Sequence, residues 1–247
     1  MAIQEVRVGF IEKDIRGEEQ PLEVAVVRYP GSNCDFDTLK FFHRGGHNAR
    51  FLWHKDTIVP RADLLVLCGG FAFGDREYER ATGEYRMNPG VRALKSPVME
   101  VIDQWAKDDR PILGICNGFQ ILCHAGLLPG KLEYNERGKF FCDDVDVAVE
   151  GRSFFNSPDL SGNVYPINIA HGYGRYEVTA EEYAGLMANE QVFLRYQGFN
   201  PNGSVENIAG ICNKNGNIWA MMPHPERIVS LETKRVFLEA IKKYVRS

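Results

Sequence analysis

The chain has no run of about 18 apolar residues, so no segment reads as a membrane-spanning helix. It has no cationic excess. Its 29 lysines and arginines face 33 acidic residues for a net charge of −4, so no basic footprint points to nucleic acid. It has no Cys-x-x-Cys pair. The six cysteines, at 34, 68, 116, 123, 142 and 212, are scattered, which argues against a disulfide framework or a zinc ribbon. It has no phosphate loop of the Walker type, no internal repeat and no low-complexity tract. The first residues lack a secretory h-region. A reducing cytoplasm is the expected compartment, and it would keep a working thiol usable.

What remains is ordinary globular composition, 44% hydrophobic and 25% charged over 247 residues, enough to bury one large core. Leu22 to Tyr29 reads as a strand ending at the turn from Pro30 to Asn33. Asp35 to Arg44 reads as a helix closed by Gly45 and Gly46. Ala49 to His54 and Asp63 to Cys68 read as strands, the latter stopped by Gly69 and Gly70. Pro97 to Lys107 is a helix with Val98, Val101, Ile102 and Trp105 at helical spacing, and Pro111 to Ile115 is a fourth strand. Short apolar strands alternating with helices predict a parallel α/β sheet with right-handed crossovers. After Gly130 strands dominate, at 140–149, 164–170, 192–196, 208–213 and 218–222. They predict a mixed or antiparallel extension, closed by an amphipathic helix from Glu232 to Val245.

Gly114-Ile115-Cys116-Asn117-Gly118 carries the chemistry. It joins a buried-strand pattern to a helical one at Phe119 to Gly126. A cysteine at such a turn, with glycine two positions to either side, is built like a nucleophile elbow. The turn strains the central residue and leaves no room for flanking side chains. It also sets the sulfur at a helix N-terminus, where the dipole favours thiolate. A buried structural cysteine is the bland alternative. Cys123, seven residues on, and the other four cysteines read as structural.

His224 is followed by Pro225, which pushes it into extended backbone. In an extended segment residues two apart face one way, so His224 and Glu226 can share a side, the carboxylate holding the imidazole tautomer. An incidental histidine in a rigid surface turn is the competing reading. An oxyanion also needs donors; the N–H of Asn117 and an N–H at Gly70 are the candidates. Gln120, one helical turn beyond Cys116, either touches a substrate amide or is simply a polar helix residue. The loop from His171 to Tyr176 either grips a polar ligand or is a bulged turn. His43, His47 and His54 hint at metal-ligand spacing, but the glycines at 45 and 46 break the helix that would align them, and no metal site is expected.

With those residues in view, the chain resembles the class I (triad) glutamine amidotransferases. Within them it is similar to the family of glutaminase subunits of phosphoribosylformylglycinamidine synthase. The resemblance rests on Gly114 to Gln120, His224 to Glu226, Pro30 to Asp35, Gly69 to Asp75, Gly126 to Gly130, Asn202 to Val205, and Ile208 to Ile211 running on to Met221 to Arg227. It spans about residues 23 to 245. It implies a flavodoxin-like three-layer sandwich around a central, mostly parallel sheet, with residues 23–247 as one amidotransferase domain. It implies a Cys116, His224 and Glu226 triad that hydrolyses glutamine to glutamate and ammonia through a thioester. Gly172 and Tyr173 resemble the element that holds the glutamine amino and carboxylate groups. The resemblance further implies that ammonia passes to a large ATP-dependent synthetase subunit accompanied by a small accessory subunit. ATP and Mg²⁺ belong to that partner, with no cofactor on this chain.

Three departures stand out. Residues 1–22 precede the usual first strand, and Val6, Val8 and Phe10 alternate with Arg7 and Gly9, which predicts an added edge strand. Residues 76–89 carry alternating charge suited to solvent or a partner surface. Tyr173 stands where many relatives show Glu. The alternative functions are a glutaminase for a different synthase and a non-catalytic regulatory protein on the same scaffold.

Overall fold

The computed structural model describes residues 20–58, 61–74, 88–150, 162–227 and 230–246. The expected edge strand before residue 20 and most of the charged loop at 76–89 lie outside them. Among the described residues, five strands build the first half of a nine-stranded sheet: β1 (Glu23–Arg28), β2 (Asn48–Trp53), β3 (Leu64–Leu67), β4 (Ile112–Ile115) and β11 (Ile218–Met221). All are parallel and stand in the order β2-β1-β3-β4-β11. This is the flavodoxin-like strand order. β3, β4 and β11 are buried along their whole length, which is why they read as continuous apolar runs rather than alternating ones.

The direction of winding reverses at β1. Right-handed crossovers therefore set α1 (Asp35–Arg44) on one face and α2 (Val98–Lys107) and α3 (Asn117–His124) on the other. Gly45, just past α1, lies so close to Leu238 that a Cβ there would sit 2.9 Å from its Cδ1. That contact packs α1 against the final helix, α5 (Leu231–Val245), which buries Phe237, Ala240 and Ile241.

Beyond β11 the sheet continues antiparallel through β10 (Ile208–Cys212), β9 (Val192–Tyr196), β6 (Phe141–Val149) and β7 (Val164–His171). This is the mixed extension the sequence predicts. It also curls. β7 ends the strand order, yet Asn168 pairs with His224 in an isolated antiparallel bridge just past β11. A small ribbon of β5 (Lys131–Glu133) and β8 (Arg175–Glu177) lies outside the main sheet. Helix α4 (Ala180–Ala188) fills a stretch the sequence reading left without a helix. Thr179 and Glu182 form a reciprocal capping box at its start, a signal of helix initiation that was present in the sequence.

Candidate active site

β3, β4 and β11 are adjacent and parallel, so their carboxyl ends open on one crevice, where α/β sheets bind ligands. Gly69 and Gly70 follow β3, Cys116 follows β4 and His224 follows β11. Register fixes them. Ile115 stands opposite Met221, and the Cys116 N–H donates to the Met221 carbonyl at 2.8 Å.

Cys116 has φ 51° and ψ −104°. Positive φ at a non-glycine residue costs on the order of 1–3 kcal/mol, and surrounding packing must hold it. The glycines show how. A Cβ at Gly118 would lie 2.1 Å from the Leu67 carbonyl oxygen, and one at Gly114 would lie 2.6 Å from Leu122 Cδ1. The helix therefore presses directly on the neighbouring strand, with Cys116 at its tip.

The imidazole is placed by main chain and carboxylate together. The His224 N–H donates to the Asn168 carbonyl at 2.8 Å, and Nδ1 lies 2.6 Å from Glu226 Oε1. The two side chains do meet, but not through the extended segment expected. Residues 225 and 226 form a turn closed by the Arg227 N–H on the His224 carbonyl at 3.2 Å, and that turn folds the carboxylate back onto the ring. Both side chains are buried. Nδ1 then carries the proton that faces Glu226, and proton exchange with the thiol falls to Nε2. Nε2 is buried with no hydrogen-bond partner of good geometry among the described residues. A Cβ at Gly69 would lie 2.8 Å from His224 Cε1 and 3.4 Å from Cys116 Cβ, so ring and cysteine converge on one glycine. Burial alone lowers the affinity of His224 for a proton. The Glu226 carboxylate and then the Cys116 sulfur outweigh it, and the pKa stands well above the usual 6.5.

A second histidine beside the site goes the other way. Burial, then the charge of His224, lower His171 to about 3. Its Nε2 accepts from Asn202 Nδ2 at 3.0 Å, so its proton sits on Nδ1. Below pH 6.5 the unfolded chain gains a proton at this residue that the folded chain refuses, so stability falls as pH drops from 6.5 toward 3. Between pH 7 and pH 5 the loss is about 2 kcal/mol. Urea unfolding of the wild type should show that loss in excess of the loss in His171→Gln; equal pH slopes would contradict it.

The oxyanion-side loop after β3 is clamped to the turn after β1. The Phe71 N–H donates to the Gly31 carbonyl at 3.0 Å, and the Phe73 N–H to that of Pro30 at 2.5 Å. Gly70, at φ 128°, backs onto Asn33 so closely that a Cβ would lie 2.6 Å from its nitrogen. This contact places the Pro30–Asp35 motif beside the Gly69–Asp75 motif. On the other wall, the Gly172 carbonyl accepts from the Asn135 N–H at 2.8 Å, and the Gly174 N–H donates to Asn135 Oδ1 at 3.0 Å. Gln120 sends Nε2 to the Tyr173 carbonyl at 2.6 Å. The structure thus brings Gln120, Gly172 and Tyr173 together, with Gln120 against the loop itself.

Cys34, read from sequence as structural, lies inside this cluster. Arg227 Nη2 donates to its sulfur at 3.0 Å. Cys34, His224 and Glu226 each bring a donor atom within 4.8 Å of the others. The 2.6 Å contact between ring and carboxylate is a hydrogen bond. Two ligands of one zinc stand about 3.3 Å apart by its bond lengths, so those two atoms cannot share an ion as placed. Burial pushes the Cys68 and Cys123 thiols far up, which suits packing rather than chemistry. Asn135 carries no signal in the sequence, and Asn202 and Arg227 stand in the quoted motifs without a role, because only tertiary contacts reveal what the three hold. The three histidines near the N-terminal half hold separate partners: His43 the Ala49 carbonyl, His47 the Leu22 N–H and His54 the Ser96 hydroxyl.

A sulfur at a strained elbow, near an imidazole steadied by a carboxylate, is equipment for acyl transfer through a thioester, and the chain is an α/β enzyme of that kind. Residues 21–244 match the family of CobB/CobQ-like glutamine amidotransferase domains, and the chain belongs to it. Among its relatives is a protein of Thermomicrobium roseum named phosphoribosylformylglycinamidine synthase subunit PurQ. It is 45% identical over 216 residues, covering 83% of this chain and 87% of that one. A protein of the same name from Wolinella succinogenes is 41% identical over 211 residues, covering 83% and 91%. A chain from a structure of PurLQS from Thermotoga maritima is 35% identical at a TM-score of 0.77, covering 92% of this chain and all of that one. A glutamine amidotransferase from the same organism, 17% identical at a TM-score of 0.55, shares the fold. Among the described residues, no helix is long and apolar enough to cross a membrane.

Proposed function

We propose that this chain is the glutaminase subunit of phosphoribosylformylglycinamidine synthase, working in the cytoplasm in purine biosynthesis. The observation that carries the reading is the buried His224–Glu226 pair beside an elbow cysteine, on a chain 41–45% identical to PurQ proteins over most of its length.

The chemistry follows from the placement. Cys116 Sγ attacks the side-chain amide carbon of glutamine. His224 Nε2 takes the thiol proton and later gives it to the departing amine, and Glu226 keeps the Nδ1 proton in place throughout. The raised His224 pKa suits that donation, because the ring holds its proton until the amine leaves. N–H groups at Gly70 and Asn117 receive the oxyanion. Ammonia departs and a glutamyl thioester remains on Cys116. Water, deprotonated by His224, then attacks the thioester; glutamate leaves and the sulfur is restored. Gly172 and Tyr173 form the wall that receives the amino-acid end of glutamine, with Gln120 behind them on the Tyr173 carbonyl.

The partners in this reading are a large ATP-dependent synthetase subunit that consumes the ammonia and a small accessory subunit. ATP and Mg²⁺ are bound there, and this chain needs no cofactor of its own. The related Thermotoga maritima chain, from a structure named PurLQS, supports such an assembly. Ammonia release from glutamine should be slow for the free chain and rise when synthetase and accessory subunit are added. Release that responds instead to the synthetase of a different synthase would move the chain to that partner.

A further inference from the structure

Two loops that flank the elbow are joined through the protein interior. The Ala72 N–H donates to Asn117 Oδ1 at 3.2 Å, Asn117 Nδ2 donates to Gln120 Oε1 at 2.8 Å, and Gln120 Nε2 donates to the Tyr173 carbonyl at 2.6 Å. All four residues are buried. The direction of each bond is set by the one before it. A main-chain N–H can only donate, so Asn117 must present oxygen to Ala72. Its nitrogen then faces Gln120, which must answer with oxygen and turn its own nitrogen to Tyr173. Neither amide can flip without setting acceptor against acceptor at one end or donor against donor at the other.

We propose that the Asn117 side chain is a positioning residue that locks the oxyanion-side loop and the glutamine-side loop into one register, with Gln120 as the link. The inference rests on the glutaminase reading and adds a role for Asn117 beyond its backbone N–H. Ala72 lies two residues from Gly70, on a loop whose outer side is already tied to Pro30 and Gly31. The Asn117 amide is its inner tether. Tyr173 adjoins Gly172, and its carbonyl is the far tether. A shift of either loop is therefore felt by the other across the elbow.

The two amides predict different kinetic signatures in the reconstituted complex. Gln120→Met keeps the Ala72–Asn117 bond and loses the Tyr173 bond. It should raise the KM for glutamine about ten-fold and leave kcat within about three-fold. Asn117→Leu loses both ends. It should raise KM by a similar factor and also lower kcat about ten-fold. The KM effect of Asn117→Leu is the decisive one, because Gln120 links the Asn117 amide to Tyr173. Should the leucine variant fail to fold, Asn117→Asp serves. It still accepts from Ala72 but cannot donate to Gln120, and is read on KM alone. A KM for glutamine within two-fold of wild type in the Asn117 variant would overturn the coupling. A wild-type complex that releases no ammonia would sink the glutaminase reading and this inference with it.

Discussion

Cys116→Ala is expected to abolish ammonia release from glutamine in the assembled enzyme, by a factor on the order of 10⁴ to 10⁶. The size follows from what is removed. Alanine keeps the elbow backbone, the His224–Glu226 pair and the oxyanion-side loop, but without sulfur no thioester can form. The catalysis left to the site is then only that of binding and oriented donors. Amidine formation fed with an ammonium salt should continue in the same preparation, which separates a dead nucleophile from a collapsed complex. Cys34 makes this a sharper test than usual. Its sulfur also lies near His224 but comes from the helix-capping position before α1 rather than from the elbow. Residual glutamine-dependent release above about one part in a hundred would show that Cys116 is not the nucleophile.

Gly118→Ala should produce a large loss of stability. An added Cβ would sit 2.1 Å from the Leu67 carbonyl oxygen, and both partners are backbone. No rotamer relieves such a contact; α3 must lift from β3. Alanine is the better helix former by about 1 kcal/mol, but the overpacking penalty of about 1–3 kcal/mol or more runs against it, and the backbone contact puts this site at the upper end. A net loss of about 2 kcal/mol would lower the melting temperature by roughly 4–8 °C for a chain of this size. Because the helix that lifts carries Cys116, ammonia release should fall as well. A melting curve unchanged within a degree would mean that the helix does not press on the strand as described.

Much of this was written plainly in the residues. The first half of the sheet follows an apolar-strand and helix alternation strong enough to place each element within a residue or two. The elbow was legible because Gly114 and Gly118 mark close approach by their lack of a side chain, and the structure supplies the atoms they avoid. His224 and Glu226 were paired for a reason that turned out different. Extended backbone was expected to align them, whereas a turn at 225–226 does it. β5 and β8, three residues each, are too short to show a period. Helix α4 buries little besides Leu186, so its face was faint, although its capping box was visible. The amide chain from Ala72 to Tyr173 was beyond reach. Gln120 and Tyr173 are 53 positions apart, and no local pattern says that a helix interior will meet a loop beyond β7.

β11 stands in the middle of the sheet, between β4 and β10, although it is made after every other strand among the described residues. On the ribosome, then, β4 and β10 each carry an open edge, and the two halves cannot join until Ile218 to Met221 emerge and thread between them. Unpaired edges of this kind invite pairing with other chains. Nascent protein of this architecture is therefore most exposed to chaperones and to aggregation until those four residues emerge, and the reactive thiol meets its base only after them.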